Sequence, residues 1–255
     1  MDVNNEYGVL QVQKDLLELL KEFDQFCLAN DIKYSVIGGT LLGAIRHKGF
    51  IPWDDDLDIV VDRNNYKKLK AGLPHGNLEV DRGTTSSLWV DRIKLKSNKS
   101  NMDYPPMIDL FILDNYPVNP FVAGLKFLII AILQGMIKIK PKFSAYSFGA
   151  KVISFILWGL GSPFSIKFKL QLYHLASTWG NKDRSKYKCI YNDQFYLLRQ
   201  KYPVSIMDSL LRLPFENIEV YSIKNYNEYL TQIFGDYMRL PNEEDRKPIH
   251  QDLKD

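Results

Sequence analysis

The stretch YSVIGGTLLGAIRHKGFIPWDDDLDIVV, residues 34–61, decides the fold. It opens on a short β-like run, Tyr34 to Ile37, and breaks at Gly38-Gly39. A small helix follows from Thr40 to about Arg46. Two residues without Cβ let the chain turn tightly and approach a ligand closely. Thr40 then stands where an N-cap belongs, so free N–H groups and the positive helix end point at one spot, a phosphate-sized anion site. A Gly-Gly-Thr turn alone also serves an ordinary strand-to-helix connection.

The second half of the stretch narrows the reading. Trp53-Asp54-Asp55-Asp56-Leu57-Asp58-Ile59-Val60-Val61 runs from an acidic cluster into a β-strand. Alternation along a strand would put Asp54, Asp56 and Asp58 on one side and Leu57, Ile59 and Val61 on the other. Carboxylates at i and i+2 stand about 7 Å apart at Cα and repel unless a cation lies between them. Mg²⁺, a hard cation that takes oxygen ligands from carboxylates and phosphates, suits that position; the alternative is a set of surface acids at a strand end. The spacing of a calcium loop is absent.

Further along, Pro105-Pro106-Met107-Ile108-Asp109-Leu110-Phe111-Ile112-Leu113 reads as an apolar strand with one enclosed charge. A carboxylate among Ile108, Leu110 and Phe111 costs several kcal/mol unless it is paired or metal-bound. Beside the first strand, Asp109 would complete a three-carboxylate site and could accept the proton of an attacking hydroxyl. The run from Leu88 to Leu95 alternates as a strand with Arg92 and Lys94 on one face, as a phosphate clamp or as a half-solvated strand. Residues 9–29 carry Leu10, Leu16, Leu17, Leu20, Phe23 and Cys27 at helical spacing, with Asn30 as the stop. Near the other end, Asn225–Phe234 reads as a helix ending at Gly235, within a helical region that walls the cleft.

Composition bounds the rest. The 255 residues are 45% hydrophobic and 25% charged, a soluble globular balance that excludes a disordered chain and a polytopic membrane protein. Cys27 and Cys189 offer no disulfide framework, and four scattered histidines offer no structural zinc site. The opening residues carry early acids and no apolar core, so no signal peptide is expected there. Lys and Arg total 33 against 30 acids, but from Asn115 to Lys182 there is no acid and there are eight lysines: 126, 138, 140, 142, 151, 167, 169 and 182. That segment also holds the two most apolar runs, FLIIAIL (127–133) and VISFILWGL (152–160). Both fall short of a membrane span, bracketed by Lys126, Gln134 and Lys138 and by Gly159 and Gly161-Ser162-Pro163. Apolar faces beside lysines suit a helix lying in an anionic membrane surface; the alternative is a buried helical pair with its lysines outside. The lysines lie among apolar residues without an arginine-rich stripe, so no nucleic-acid partner is expected.

The order GGTLLGAIRHKGFIPWDDDLDI resembles the signature of the LicD family, the bacterial phosphocholine transferases related to fukutin and fukutin-related protein. The resemblance extends to MIDLFILD and to the late stretch LPFENIEVYSIKNYNEYLTQIFGDYMRLPNEEDRK. It implies an α/β (α+β) fold: a nucleotidyltransferase-type mixed sheet core with flanking helices and a basic, apolar helical insertion. Three regions follow: a core over 1–114, the basic helical region over 115–182 and a C-terminal part over 183–255 that completes the cleft. Carried over residue by residue, Gly38, Gly39 and Thr40 match the phosphate-cradling turn, Arg46 and His47 the R-H after the short helix, Asp56 and Asp58 the metal pair, and Asp109 the third carboxylate. The implied reaction moves phosphocholine, or a related polyol phosphate, from a CDP-linked donor to a hydroxyl of a cell-surface glycan precursor and releases CMP. The cofactor would be Mg²⁺ or Mn²⁺. The acceptor would be a lipid-linked precursor of a teichoic acid, capsule or lipopolysaccharide, and the enzyme peripheral at the inner face of the cytoplasmic membrane.

Some roles stay open. His47 suits phosphate contact or proton transfer, and equally a packing role. Trp53 suits stacking on cytosine or choline, although a core role after Pro52 is preferred. Two other functions remain: a nucleotidyltransferase that consumes an NTP and releases pyrophosphate, and an inert membrane-surface or glycan-binding module.

Overall fold

The computed structural model describes residues 7–81, 89–96, 106–137, 148–180, 184–193 and 195–248. Lys138, Lys140, Lys142, Lys182, Leu88 and Pro105, all named above, lie outside the described residues. Nine strands and seven α-helices occur among the described residues, with the strands in a mixed open sheet, so the α/β expectation holds. The chain forms two compact units: Met1–Val80, Arg92–Phe111 and Ser205–Asp255 in one, Asp81–Asp91 and Ile112–Val204 in the other.

The first unit begins with α1 (Leu10–Ala29), which buries Leu16, Leu19, Leu20, Phe23 and Cys27 at helical spacing and stops at Asn30 as expected. Its buried Asp24 accepts a two-pronged bond from Arg212, at 2.6 and 2.9 Å, and a third bond from the Tyr34 hydroxyl at 2.7 Å. A buried carboxylate is tolerated because each oxygen meets a donor. β1 (Ser35–Val36) pairs antiparallel with β2 (Asp58–Asp62), and between them lies α2 (Gly38–Arg46). α3 (Arg63–Gly72) follows β2 directly, capped by the Asp62 side chain.

β3 (Leu78–Asp81), β4 (Asp91–Leu95) and β5 (Ile108–Asn115) extend the sheet beyond β2. On the other side β1 runs parallel to β9 (Ile218–Ile223), which forms an antiparallel hairpin with β8 (Leu210–Phe215). These two strands correct the reading of the C-terminal part as helical. Val220 and Ile223 are buried on the pleat, and Glu216 makes the turn with φ +53°. Pro214 is admissible because β8 is an edge strand. α7 (Tyr226–Phe234) then ends at Gly235, where it was expected to.

The second unit contains α4 (Pro120–Ile137), α5 (Phe148–Gly161) and α6 (Ile166–Thr178), with the end of β5 pairing β6 (Tyr187–Ile190) and β6 pairing β7 (Tyr202–Pro203). Ile130, Leu133, Tyr173, Cys189 and Tyr191 belong to its core. One expectation is corrected here. α4 has 18 residues at mean hydropathy 1.9, long and apolar enough to cross a membrane by length and composition. Lys126 does not interrupt it, because its ammonium turns inward onto the Tyr191 ring, 4.0 Å from the centroid.

Candidate active site

The site is built on the turn from β1 into α2. The helix starts at Gly38, with Ile37 at the N-cap position, so Thr40 lies inside the first turn and is not the cap. Its hydroxyl instead accepts the N–H of Asp58 at 2.8 Å, while the Asp58 carbonyl accepts from the Ile37 N–H at 3.1 Å. Turn and acidic strand are thereby locked together at their first residues. The Gly38 N–H, expected to face an anion, donates to the Tyr229 hydroxyl of α7 at 3.2 Å.

The two glycines have a more specific reason to lack Cβ than a tight turn. A Cβ on Gly38, where φ is +55°, would lie 2.7 Å from Oδ2 of Asp58; one on Gly39 would lie 2.9 Å from Oδ2 of Asp54. Both carboxylates therefore rest against the bare backbone of the turn. β2 begins only at Asp58, so strand alternation does not govern Asp54 and Asp56, which lie in the irregular approach. That approach is pinned by Gln13 of α1, whose amide donates to the carbonyls of Ile51 at 3.0 Å and Asp54 at 2.8 Å. Desolvation, then the charge of Asp56 and their shared hydrogen bond, push the Asp54 carboxyl well above the usual carboxylate range.

Asp109, on β5, is brought beside the strand entry by its N–H, which donates to the Leu57 carbonyl at 2.8 Å. Its carboxylate pairs with Arg92 of β4 at 2.7 Å, which meets the cost of enclosing it. Lys94 lies 3.4 Å from Glu79 across β3 and β4. Among the described residues, no three His, Cys, Asp or Glu side chains form a group that could hold a metal ion. Of the three expected ligands, Asp109 pairs with Arg92, Asp56 shares a hydrogen bond with Asp54, and the Asp58 carboxylate lies against Gly38. The crowded Asp54–Asp56 pair, all hard oxygen with its charges pressed together, is the part that fits a divalent cation.

Beside the turn opens a cleft of about 600 Å³, lined by Gly39, Arg46, Trp53 and Asp54 and, from the C-terminal segment, by Tyr237, Arg239 and Lys247. That is ample for a nucleotide-sized ligand. Arg46 is held by the Tyr237 carbonyl at 3.1 Å and donates through Nε to Nε2 of His47 at 2.9 Å. Burial, then the charge of Arg46, lowers the His47 pKa, so the neutral imidazole acts as an acceptor that orients Arg46. Trp53 is half-buried in the cleft wall, where Tyr7 meets it edge-on at 5.8 Å and the Arg246 guanidinium lies 5.8 Å from the ring centre; it is not a core residue. Sequence reasoning missed Gln13, Tyr229, Arg239 and Lys247, which reach the site from elements distant in the chain and carry no local signal. Asp54 was within reach, as the first acid after the tryptophan.

The fold is a mixed open α/β sheet that carries a glycine turn and an acidic strand entry beside this cleft. The family description "LicD/FKTN/FKRP, nucleotidyltransferase domain" matches residues 31–120. Nearly the whole chain is similar to the lipopolysaccharide cholinephosphotransferase LicD of Haemophilus influenzae, at 30% identity over 252 residues, 92% of each chain. Two uncharacterized proteins match over 59 residues: one of Rickettsia prowazekii at 46% identity (23% of this chain, 22% of the other) and one of Rickettsia typhi at 54% (23% and 19%). The chain belongs to the LicD family and is an enzyme, a transferase.

Proposed function

We propose that this enzyme transfers phosphocholine, or a closely related polyol phosphate, from a CDP-activated donor to a hydroxyl of a cell-surface glycan precursor of the lipopolysaccharide kind. The observation that carries the reading is the similarity to the Haemophilus cholinephosphotransferase over 92% of both chains. The cleft supports it. Arg46, Arg239 and Lys247 supply positive charge for a diphosphate, and Trp53 offers an aromatic face for cytosine. The acceptor oxygen attacks the phosphorus distal to cytidine, the bond from that phosphorus to the bridging oxygen breaks, and CMP leaves. The hydroxyl proton passes to Asp109, with Arg92 holding that carboxylate in place. The Asp54–Asp56 pair would hold Mg²⁺ or Mn²⁺, which when bound neutralises phosphate charge. The lipid-linked acceptor places the work at the inner face of the cytoplasmic membrane.

The test is incubation of purified protein and Mg²⁺ with CDP-choline, CDP-ribitol, CDP-glycerol, CTP and ATP in turn, with an acceptor-rich membrane extract and detection by mass spectrometry. CMP released from one CDP donor, and lost in the Asp56→Asn/Asp58→Asn variant and on chelation, is the expected result. Pyrophosphate from CTP or ATP would replace this reading with nucleotidyl transfer.

A further inference from the structure

The helices of the second unit expose broad apolar faces. A water-soluble helix buries its apolar stripe and exposes its polar one. α4 buries Lys126, fully enclosed, and Gln134 beside Ala123, Ile130, Leu133 and Ile137, while Phe121, Leu125, Leu128 and Ile132, spaced by four, three and four residues, form a second, exposed apolar stripe. α5 buries only Ser154 and Gly161 and exposes Val152, Ile153, Phe155, Ile156 and Leu160. α6 buries Lys169, Tyr173 and Ser177 and exposes Phe168 and Leu175 among Lys167, Gln171 and His174. Phe121 is 79% exposed and Ile153 60%, against 0% for Lys126. Water gives no reason for the wide exposed apolar faces of α4 and α5 beside an enclosed lysine, and hydrocarbon does.

Several enclosed polar groups find partners inside the unit, while Gln134 Oε1 and Trp89 Nε1 are buried without one. Gln134 donates to the Asp193 carbonyl at 2.9 Å and to the Tyr173 hydroxyl at 3.3 Å. Lys169 donates to the carbonyls of Met136 and Gly161, at 3.1 and 3.2 Å, and so caps the C-terminal ends of α4 and α5 together. Small residues mark the helix crossings: a Cβ on Gly135 would lie 2.5 Å from Leu157, and one on Gly161 2.3 Å from the Met136 carbonyl. α5 and α6 meet at a bend of 110°. There the freed backbone groups are met locally, by Ser162 N–H and hydroxyl to the Gly159 carbonyl and Phe164 N–H to that of Gly161. Eighteen residues of α4 rise about 27 Å, close to the roughly 30 Å of a hydrocarbon core. The segment 115–182 has no acid to oppose an anionic headgroup layer, while Lys151 is half-buried and Lys167 exposed.

We propose that α4, α5 and α6 embed in the hydrocarbon of a lipid bilayer, with α5 and α6 as a re-entrant pair, so that the enzyme is held by insertion and not by surface charge. The proposal goes beyond the transfer reading and stands whichever group is moved.

The test uses the full chain with vesicles of phosphatidylcholine alone and of equimolar phosphatidylcholine and phosphatidylglycerol. Expected are flotation with both, retention through high salt and alkaline carbonate, and a blue shift of an environment-sensitive dye on Ile153→Cys; the two native thiols are buried. Leu128→Asp and Ile153→Asp, both at exposed positions, should each lower partitioning about tenfold or more with an unchanged circular dichroism spectrum. Release by salt, with binding confined to the anionic vesicles, would overturn insertion in favour of adsorption. So would a detergent-free soluble dimer that ignores both vesicles, since the apolar face would then cover a second copy of the chain.

Discussion

Gly38 and Gly39 concentrate the chemistry of the site into two missing methyl groups. At both, the space a Cβ would occupy is taken by a carboxylate oxygen, of Asp58 and Asp54. Gly39→Ala should lower turnover by more than about tenfold by displacing Asp54, while stability falls only by about 1–2 kcal/mol. Gly38→Ala adds the strain of a left-handed backbone, about 1–2 kcal/mol, so urea denaturation should separate the two variants. His47 gives a pH prediction. Its folded pKa lies below the ordinary 6.5, so the unfolded chain binds more protons as pH falls through that value. The stability His47 contributes is therefore complete above about pH 6.5 and declines below it. His47→Gln should flatten the difference between neutral and mildly acid denaturation midpoints; an unaltered pH profile would remove His47 as the cause. Asp54 and Asp109 show what sequence reading does at this scale. The need to compensate an enclosed Asp109 is legible from its neighbours, but the choice of Arg92 as its partner is not, because that depends on which strand lies alongside.

At the scale of elements, the first unit is tied together by polar contacts at its strand and helix ends. The Asp24 carboxylate joins α1 to β8 through Arg212 and to Tyr34 at the start of the β1 region. Arg212→Ala would leave that charge enclosed with only the tyrosine, at a cost of about 3 kcal/mol, to be read as a lowered Tm. Thr40→Val is a milder probe: the Asp58 N–H loses its acceptor, and about 1–2 kcal/mol of stability should go with it, along with part of the turnover. α1, α2, β2, β5 and α7 were legible because each has a period or a stop signal in its own residues. The β8–β9 hairpin was not. Its alternation is broken by Pro214 and by a Glu216 turn lacking the usual glycine, and its partner β1 lies far upstream in sequence.

For the whole molecule, ligand binding should be readable as stability. CDP-choline with Mg²⁺ present should raise Tm, by the equivalent of about 2.7 kcal/mol at a hundredfold excess over Kd, and the Asp56→Asn/Asp58→Asn variant should show little of that rise. The sequence by itself determined the α/β class, the glycine turn feeding an acidic strand, the acid-free apolar segment and the family, since all of these are written in local order and spacing. Only the tertiary structure decided that Asp58 and Asp54 fill the glycine turn, that Tyr229, Arg239 and Lys247 reach it from a distant segment, and that Lys126, Gln134 and Lys169 face inward. The reason is physical. Periodicity specifies that a helix has two faces, but which face is buried depends on what the other elements and the surrounding medium offer it.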